Sequence, residues 1–222
     1  MLDTAFQRFN GDVGNALTWD FPVIYKIVEG ASAAKVTDLA HHDLLQPFLD
    51  AADELVAAGV DGITTTCGFL SLYQSALAAH CPVPVATSAL LQVPLVARTL
   101  PAGKRVGILT FSAERLTRAH LECAGIDPAT PVAGLPPGGE FQRAIIEGDA
   151  TVPFAVLQRE VLDTARRFVA SDPSIGALVC ECTNLPPYAC DLRDALGLPV
   201  FDMVTLIEWF RRGLQPRRFA QG

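Results

Sequence analysis

A chain of 222 residues is long enough for one large domain or two small ones, and can bury roughly 70% of its unfolded surface. Half of its residues are hydrophobic and its net charge is −7, which excludes a disordered chain and argues against nucleic acid or an anionic membrane as main partner. The N-terminal stretch to Asn15 has neither the charged nor the apolar region of a leader, and the most apolar run, Val83 to Val96, is broken by prolines, Thr87, Ser88 and Gln92. The expectation is therefore a cytoplasmic protein whose six cysteines are reduced thiols.

In chain order, Met1 to Phe6 reads as a short first strand, followed by a loop with Gly11 and Gly14 that suits a tight turn or close approach to a ligand. Phe21 to Ile27 alternates in an edge-like extended segment, where Pro22 cannot donate to a ladder. Thr37 or Asp38 is expected to cap a helix that runs to Ala58 and stops at Gly59. Strand and helix then alternate: strand Val60–Thr66, helix Gly68–His80, strand Val83–Ala86, helix Ser88–Leu100 and strand Arg105–Leu109. Ser112 opens a predicted helix to Ala124, and a loop rich in proline and glycine follows, with a short strand at Val132. Helices over 140–148 and 153–170 lead to strand Ala177–Cys180, helix Pro186–Leu196, strand Leu198–Phe201 and helix Val204–Arg212. Such alternation predicts parallel sheets with covered faces, the α/β class.

The chain contains an internal echo. A β-rich run ends at Cys67 and another at Cys182, and each is followed by a helix and then by a strand carrying Val-Pro-Val (83–85) or Leu-Pro-Val (198–200). Cysteine and proline are 17 residues apart in both units (84 − 67 and 199 − 182), and the two cysteines are 115 apart (182 − 67). Two pseudo-symmetric lobes are predicted, 1–98 plus 201–222 and 99–200, each a parallel sheet flanked by helices. Equivalent strand ends would then face each other across one cleft, where open α/β sheets bind ligands. Two thiols flanking a small molecule suit a proton removed from one face of a carbon and returned on the other.

Cys67 and Cys182 are the candidate catalytic residues, because a helix start lowers a thiol pKa from its ordinary value near 8.5. Cys180 reads as core, and Cys81, Cys123 and Cys190 as structural. Asn15, Thr66, Gly68, Thr110, Thr183 and Asn184, at strand ends or loop tips, are candidates for holding a substrate carboxylate; simple helix capping is the bland alternative. Cys180, Cys182 and Cys190 lack the spacing of a zinc set, and no nearby histidine completes one, so no metal is expected. His41 and His42 read as solvated or half-buried on a helix, and His80 and His120 as lying on helices away from the strand ends. No Gly-x-Ser-x-Gly elbow or Gly-x-Gly-x-x-Gly loop occurs, and Lys26, Lys35 and Lys104 give little support to a pyridoxal phosphate site, so no cofactor is expected.

Around these corners the chain resembles the aspartate/glutamate racemase superfamily, cofactor-independent enzymes of two similar α/β lobes. Cys182-Thr183-Asn184-Leu185-Pro186 is similar to the Cys-Thr-His-x-Pro corner of glutamate racemases, and Thr65 to Phe69 to the first cysteine corner. The resemblance implies Cys67 and Cys182 as an acid/base pair, with the substrate carboxylate held by Thr183 and by the amides after each cysteine. It implies a racemase or epimerase of a small carboxylate, an amino acid such as aspartate or glutamate, acting without pyridoxal phosphate. Hydantoin racemases, maleate isomerases and decarboxylases of the same superfamily are the alternatives, and a non-catalytic small-acid binding protein is the alternative from another class. A homodimer is expected on base rate alone. The chain departs from glutamate racemases at Gly68-Phe69, where they carry Asn-Thr, and at Asn184, which cannot ionise.

Overall fold

The computed structural model describes residues 1–38 and 44–220. Every strand pairing is parallel and helices lie between successive strands, as the alternation requires. Strands β1 (Ile63–Thr64) and β2 (Val85–Ala86) form one small sheet. Strands β3 (Arg105–Thr110), β4 (Val132–Gly134), β5 (Ile175–Cys180) and β6 (Val200–Phe201) form a second sheet in the order β4-β3-β5-β6. β3 and β5 are buried almost throughout and carry little polarity before their ends, as central strands covered on both faces must.

The echo seen in sequence is a geometric repeat. Ile63 pairs with Val85 and Leu178 with Val200, a separation of 22 residues in each (85 − 63 and 200 − 178). Both units run strand, 3-10 turn, helix, strand, with the turn starting just beyond the cysteine in one and at Pro186 in the other.

The helices are α1 (Ala33–Val36), α2 (Leu45–Ala57), α3 (Gln74–His80), α4 (Val93–Thr99), α5 (Arg118–Cys123), α6 (Glu140–Glu147), α7 (Phe154–Ser171), α8 (Ala189–Leu196) and α9 (Met203–Leu214). The longest, α7, buries Leu157, Val161, Thr164 and Ala165, a stripe at helical spacing. Several predicted elements are shorter than expected. Met1 to Phe6 contributes only the Leu2–Val28 bridge, and 22–27 belongs to no helix or ladder. Thr37 ends α1 instead of opening a helix, since Ser32 caps that short turn. The helix expected from Ser112 begins at Arg118, where Thr117 and His120 form a reciprocal capping box. His41 and His42 lie outside the described residues. Among the described residues no helix is long and apolar enough to cross a membrane.

Four contacts seat the N-terminal segment and the two sheets against each other. Gln92 Nε2 donates to the Asp202 carbonyl at 2.7 Å, and Thr205 Oγ1 donates to Gln92 Oε1 at 3.1 Å. Phe154 stacks on the buried Tyr188 with ring centroids 4.8 Å apart, and Phe9 meets Phe154 edge-on at 5.1 Å. That stack pins the loop carrying Arg8 and Asp12 beside the turn that follows Cys182.

Candidate active site

The two cysteine corners meet. Thr183 Oγ1 donates to the Thr66 carbonyl at 2.7 Å, a buried hydrogen bond between residues adjoining the two cysteines. Cys67, Gly68, Thr66, Cys182, Thr183 and Asn184 line one small cavity of about 30 Å³, together with Arg8 and Glu181. That volume holds about one water, so the space between the corners is small. A larger cavity of about 330 Å³ lies between β1, the segment around Phe21 to Lys26 and α9, but it contains neither thiol. Size does not locate the chemistry here; the convergence of titratable groups does.

Cys67 precedes the 3-10 turn Gly68–Tyr73 and is half-buried. Thr65 Oγ1 donates to the Thr87 carbonyl at 2.5 Å, which ties the end of β1 to the end of β2 and fixes the backbone that leads into Cys67. Cys182 is buried, and its thiol donates to Asn184 Oδ1 at 3.6 Å. Asn184 Nδ2 in turn donates to Asp12 Oδ2 at 2.6 Å, and Asp12 Oδ1 pairs with Arg8 at 2.8 Å. A chain of contacts thus runs from the thiol through a neutral amide to a buried ion pair. The ionisable partner absent at position 184 is supplied one step further out, by Asp12.

Burial reverses the expected thiol chemistry. The Phe69 and Leu70 N–H groups and Arg8 do favour a thiolate at Cys67, but desolvation and the neighbouring Glu181 push it up to about 12. Cys182 is raised well above the ordinary thiol value by burial first, then by Glu181, against the N–H of Asn184. The turn after Cys67 aims N–H groups at sulfur, as the sequence implies, yet a few hydrogen bonds do not offset removal from water.

The remaining predicted site residues divide. Thr66 is buried in the cavity wall and its hydroxyl accepts from Leu2 N at 3.1 Å. The single hydroxyl proton of Thr183 goes to Thr66, so it is not free for a substrate carboxylate. Thr110 lies behind the cavity and donates to Glu181 Oε2 at 2.6 Å. Asn15 is not brought to the site: its Oδ1 accepts from Leu17 N at 2.9 Å and its Nδ2 donates to the Arg8 carbonyl, both local duties. The loop glycines serve packing. Gly11 adopts φ 97° against Pro187, and a Cβ on Gly14 would lie 2.6 Å from the Arg8 guanidinium.

Sequence reasoning missed Arg8, Asp12 and Glu181. The first two sit in a weakly patterned segment whose value depends on a contact 172 residues away, Asn184 to Asp12. Glu181 is visible in the sequence as the acid between Cys180 and Cys182. His120, expected far from the strand ends, packs edge-on against Phe69 at 5.1 Å, and burial lowers its pKa to about 4. Cys180 is fully buried in β5 and Cys190 is exposed on α8, and among the described residues no group of three histidine, cysteine or acidic side chains could hold a metal ion.

No protein-family profile matches the chain. Among curated proteins it is similar to dimethylsulfoniopropionate lyase 6 of Emiliania huxleyi, 31% identical over 92% of this chain and 56% of that protein. It is similar also to dimethylsulfoniopropionate lyase 3 of the same organism, 30% identical with the same coverage of each chain. A dimethylsulfoniopropionate lyase of Durusdinium sp. clade D is 28% identical over 96% of this chain and 72% of its own length. The chain thus spans little more than half the length of the two Emiliania relatives. Among solved structures, a cysteine variant of arylmalonate decarboxylase superposes with a TM-score of 0.63 at 19% identity, covering 91% of this chain and 87% of that one. Allantoin racemase from Pseudomonas fluorescens gives 0.52 at 16% identity, covering 78% and 77%. The curated relatives are lyases by name, which overturns the expectation of an amino-acid racemase and of an isomerase. What the superpositions establish is the architecture: this chain has the two-lobed α/β fold of the aspartate/glutamate racemase superfamily.

Proposed function

We propose that the chain is a lyase that cleaves a sulfonio-carboxylate of the dimethylsulfoniopropionate type by β-elimination. The observation that carries this reading is a small cavity lined by two thiols with unlike partners, on a chain similar to such lyases over nine-tenths of its length. A thiolate takes a proton from the carbon next to the carboxylate. The electron pair left behind forms the double bond to the neighbouring carbon, the carbon–sulfur bond breaks, and dimethyl sulfide departs with its bonding pair. The products are acrylate, dimethyl sulfide and a proton on the thiol.

A sulfonium leaves as a neutral sulfide, so the leaving group needs no acid, and no proton returns to the opposite face of the carbon. One base is sufficient. Cys67 is proposed for it, since Phe69, Leu70 and Arg8 favour its thiolate. Cys182, donating to Asn184, serves as a held thiol that shapes the second wall. Among the described residues Arg8 is the one cation lining the cavity, and it is proposed to receive the carboxylate, where it also counters the charge that develops as the proton leaves. Of the residues expected to bind substrate, Thr66, Gly68, Thr183 and Asn184 are proposed as walls of the same site.

The lobe division at 98/99 and 200/201 is likewise proposed. The two separate sheets support it except at Phe201, which pairs with Val179 in the second sheet, and α9 supports it through Phe210 and Leu214, which close over Gly62 before β1.

The deciding experiment incubates the purified chain with dimethylsulfoniopropionate and measures dimethyl sulfide in the headspace and acrylate in solution, in equal amounts. Absence of both products above the uncatalysed rate ends this reading.

A further inference from the structure

Strand β5 is apolar to its last residue, yet the next position, Glu181, buries a carboxyl with only 1% of the residue exposed. Its backbone is fixed as a continuation of the ladder, with Glu181 N donating to the Leu109 carbonyl at 2.8 Å. Oε2 accepts the Thr110 hydroxyl at 2.6 Å, while Oε1 is buried without a hydrogen-bond partner among the described residues. An orphaned acceptor of this kind is costly and calls for an explanation.

The space for this carboxyl comes from Gly68. A Cβ built there would lie 2.1 Å from Glu181 Oε1 and 2.4 Å from the Glu181 carbonyl oxygen. Any other residue at 68 would expel the side chain. Gly68 follows Cys67 and Glu181 precedes Cys182, so the carboxyl stands where the two corners join. Its charge acts on Cys67, Cys182 and Cys180 alike. Among the described residues, the other titratable or charged groups facing this cluster are Arg8 and Asp12 from the N-terminal segment, Tyr188 from the turn after Cys182, and Asp202, which faces Cys180 from the turn before α9.

We propose that Glu181 is a positioning residue that balances charge for the thiol pair: Cys67, Cys182 and Glu181 together hold one negative charge, and a thiol becomes the base by giving its proton to Glu181. The step is Cys67–SH plus Glu181–COO⁻ giving Cys67–S⁻ plus Glu181–COOH. The S–H bond breaks with its pair left on sulfur, an O–H bond forms on the carboxyl, and nothing is oxidised. A second negative charge in this buried space is opposed by both desolvation and like-charge repulsion, whereas moving the existing one leaves the total unchanged. Burial agrees with this order of ionisation, since it lifts Glu181 to about 7 and Cys67 much higher.

The inference rests on the thiol-base reading above, but its test needs no substrate. The rate of Cys67 alkylation by iodoacetamide is followed against pH in the full chain, with the modified peptide quantified by mass spectrometry. In the wild-type protein the rate rises tenfold per pH unit up to about 7 and then levels, because above that point Glu181 and the thiol compete for one charge. In Glu181→Gln the rise continues, so the variant matches the wild type below neutrality and exceeds it about 100-fold at pH 9, two units above the bend. A second variant, Thr110→Val, removes the hydroxyl that favours the carboxylate and moves the bend to higher pH, which keeps the test open if Glu181→Gln does not fold. A purely structural Glu181 would change the rate by the same factor at every pH and leave the bend in place. Identical profiles in wild type and variant, or no Cys67 labelling up to pH 9, overturn the proposal. The expected profiles without release of dimethyl sulfide would instead retain the charge balance and remove the lyase assignment.

Discussion

The two cysteine corners share a topology and the neighbouring Glu181 carboxyl, and differ in the hydrogen-bonding groups around each sulfur. Both follow a strand paired to its neighbour 22 residues on, and both precede a 3-10 turn. Cys67 is half-buried beside a glycine, with N–H groups of the following turn behind it. Cys182 is buried and bonded to a relay, Asn184–Asp12–Arg8, that has no counterpart at the other corner. A duplicated fold supplies two equivalent strand ends, but unlike neighbours make one thiol more suitable as a base and the other as a wall. Racemisation needs an acid and a base on opposite faces of a carbon; elimination of a sulfide needs one base. The asymmetry suits elimination.

The sharpest way to break this comparison is to replace each sulfur. Cys67→Ser is expected to lower the rate of dimethyl sulfide release by about 10² to 10⁴, the range for loss of a general base. Cys182→Ser should cost at least about tenfold less than that, and equal losses in kcat at both positions would restore a symmetric two-base mechanism. Asp12→Ala strands the Arg8 guanidinium, which is largely buried, and cuts the relay behind Cys182. The expected loss is about 3 kcal/mol of stability, read by urea denaturation, and an unchanged midpoint would show the ion pair to be dispensable.

Glu181 gives a pH-dependent term of similar size. Its carboxyl is held at about 7 instead of the ordinary 4.5, so the folded protein keeps a proton that the unfolded chain has lost. This contribution is fully present below pH 4.5 and disappears as pH rises through 7, a change of about 3 kcal/mol. Glu181→Gln should lack that slope, so the difference in stability between wild type and variant, read from denaturation curves, should change by about 3 kcal/mol between pH 4.5 and 7.5. Gly68→Ala is expected to have the smallest effect, about 1 to 3 kcal/mol from overpacking against Glu181. Adding Glu181→Ala to it should recover part of the loss, and strict additivity would mean that the two residues do not share the space.

Much of the chain was legible before any coordinates. The central strands, α6 to α9 and the paired corners follow from periodicity and from the repeated spacing of cysteine and proline. The edges were less legible. Thr37 looked like the start of a helix because a capping residue stands before an apolar run, but Ser32 had already capped a shorter turn. Ser112 had the same pattern, and the better box at Thr117 and His120 took the helix start. Asn15 was a plausible ligand-binding tip, yet its amide was more easily satisfied by Leu17 and Arg8 nearby. The substrate was not legible either. The corners fit any enzyme that moves a proton next to a carboxylate, and the similarity to lyases narrowed that class.

By itself the sequence determined the α/β class, the repeated unit and which two cysteines follow its paired strands, because these depend on local periodicity and on spacing along the chain. The tertiary structure decided the chemistry of those cysteines. Burial raised thiols that the turn's N–H groups alone would have made acidic. Asp12 reached Asn184 across most of the chain, and Gly68 made room for Glu181 between the corners. Each of these is a matter of which distant groups share a space closed to water, and the range of an electrostatic interaction depends on that space rather than on position in the sequence.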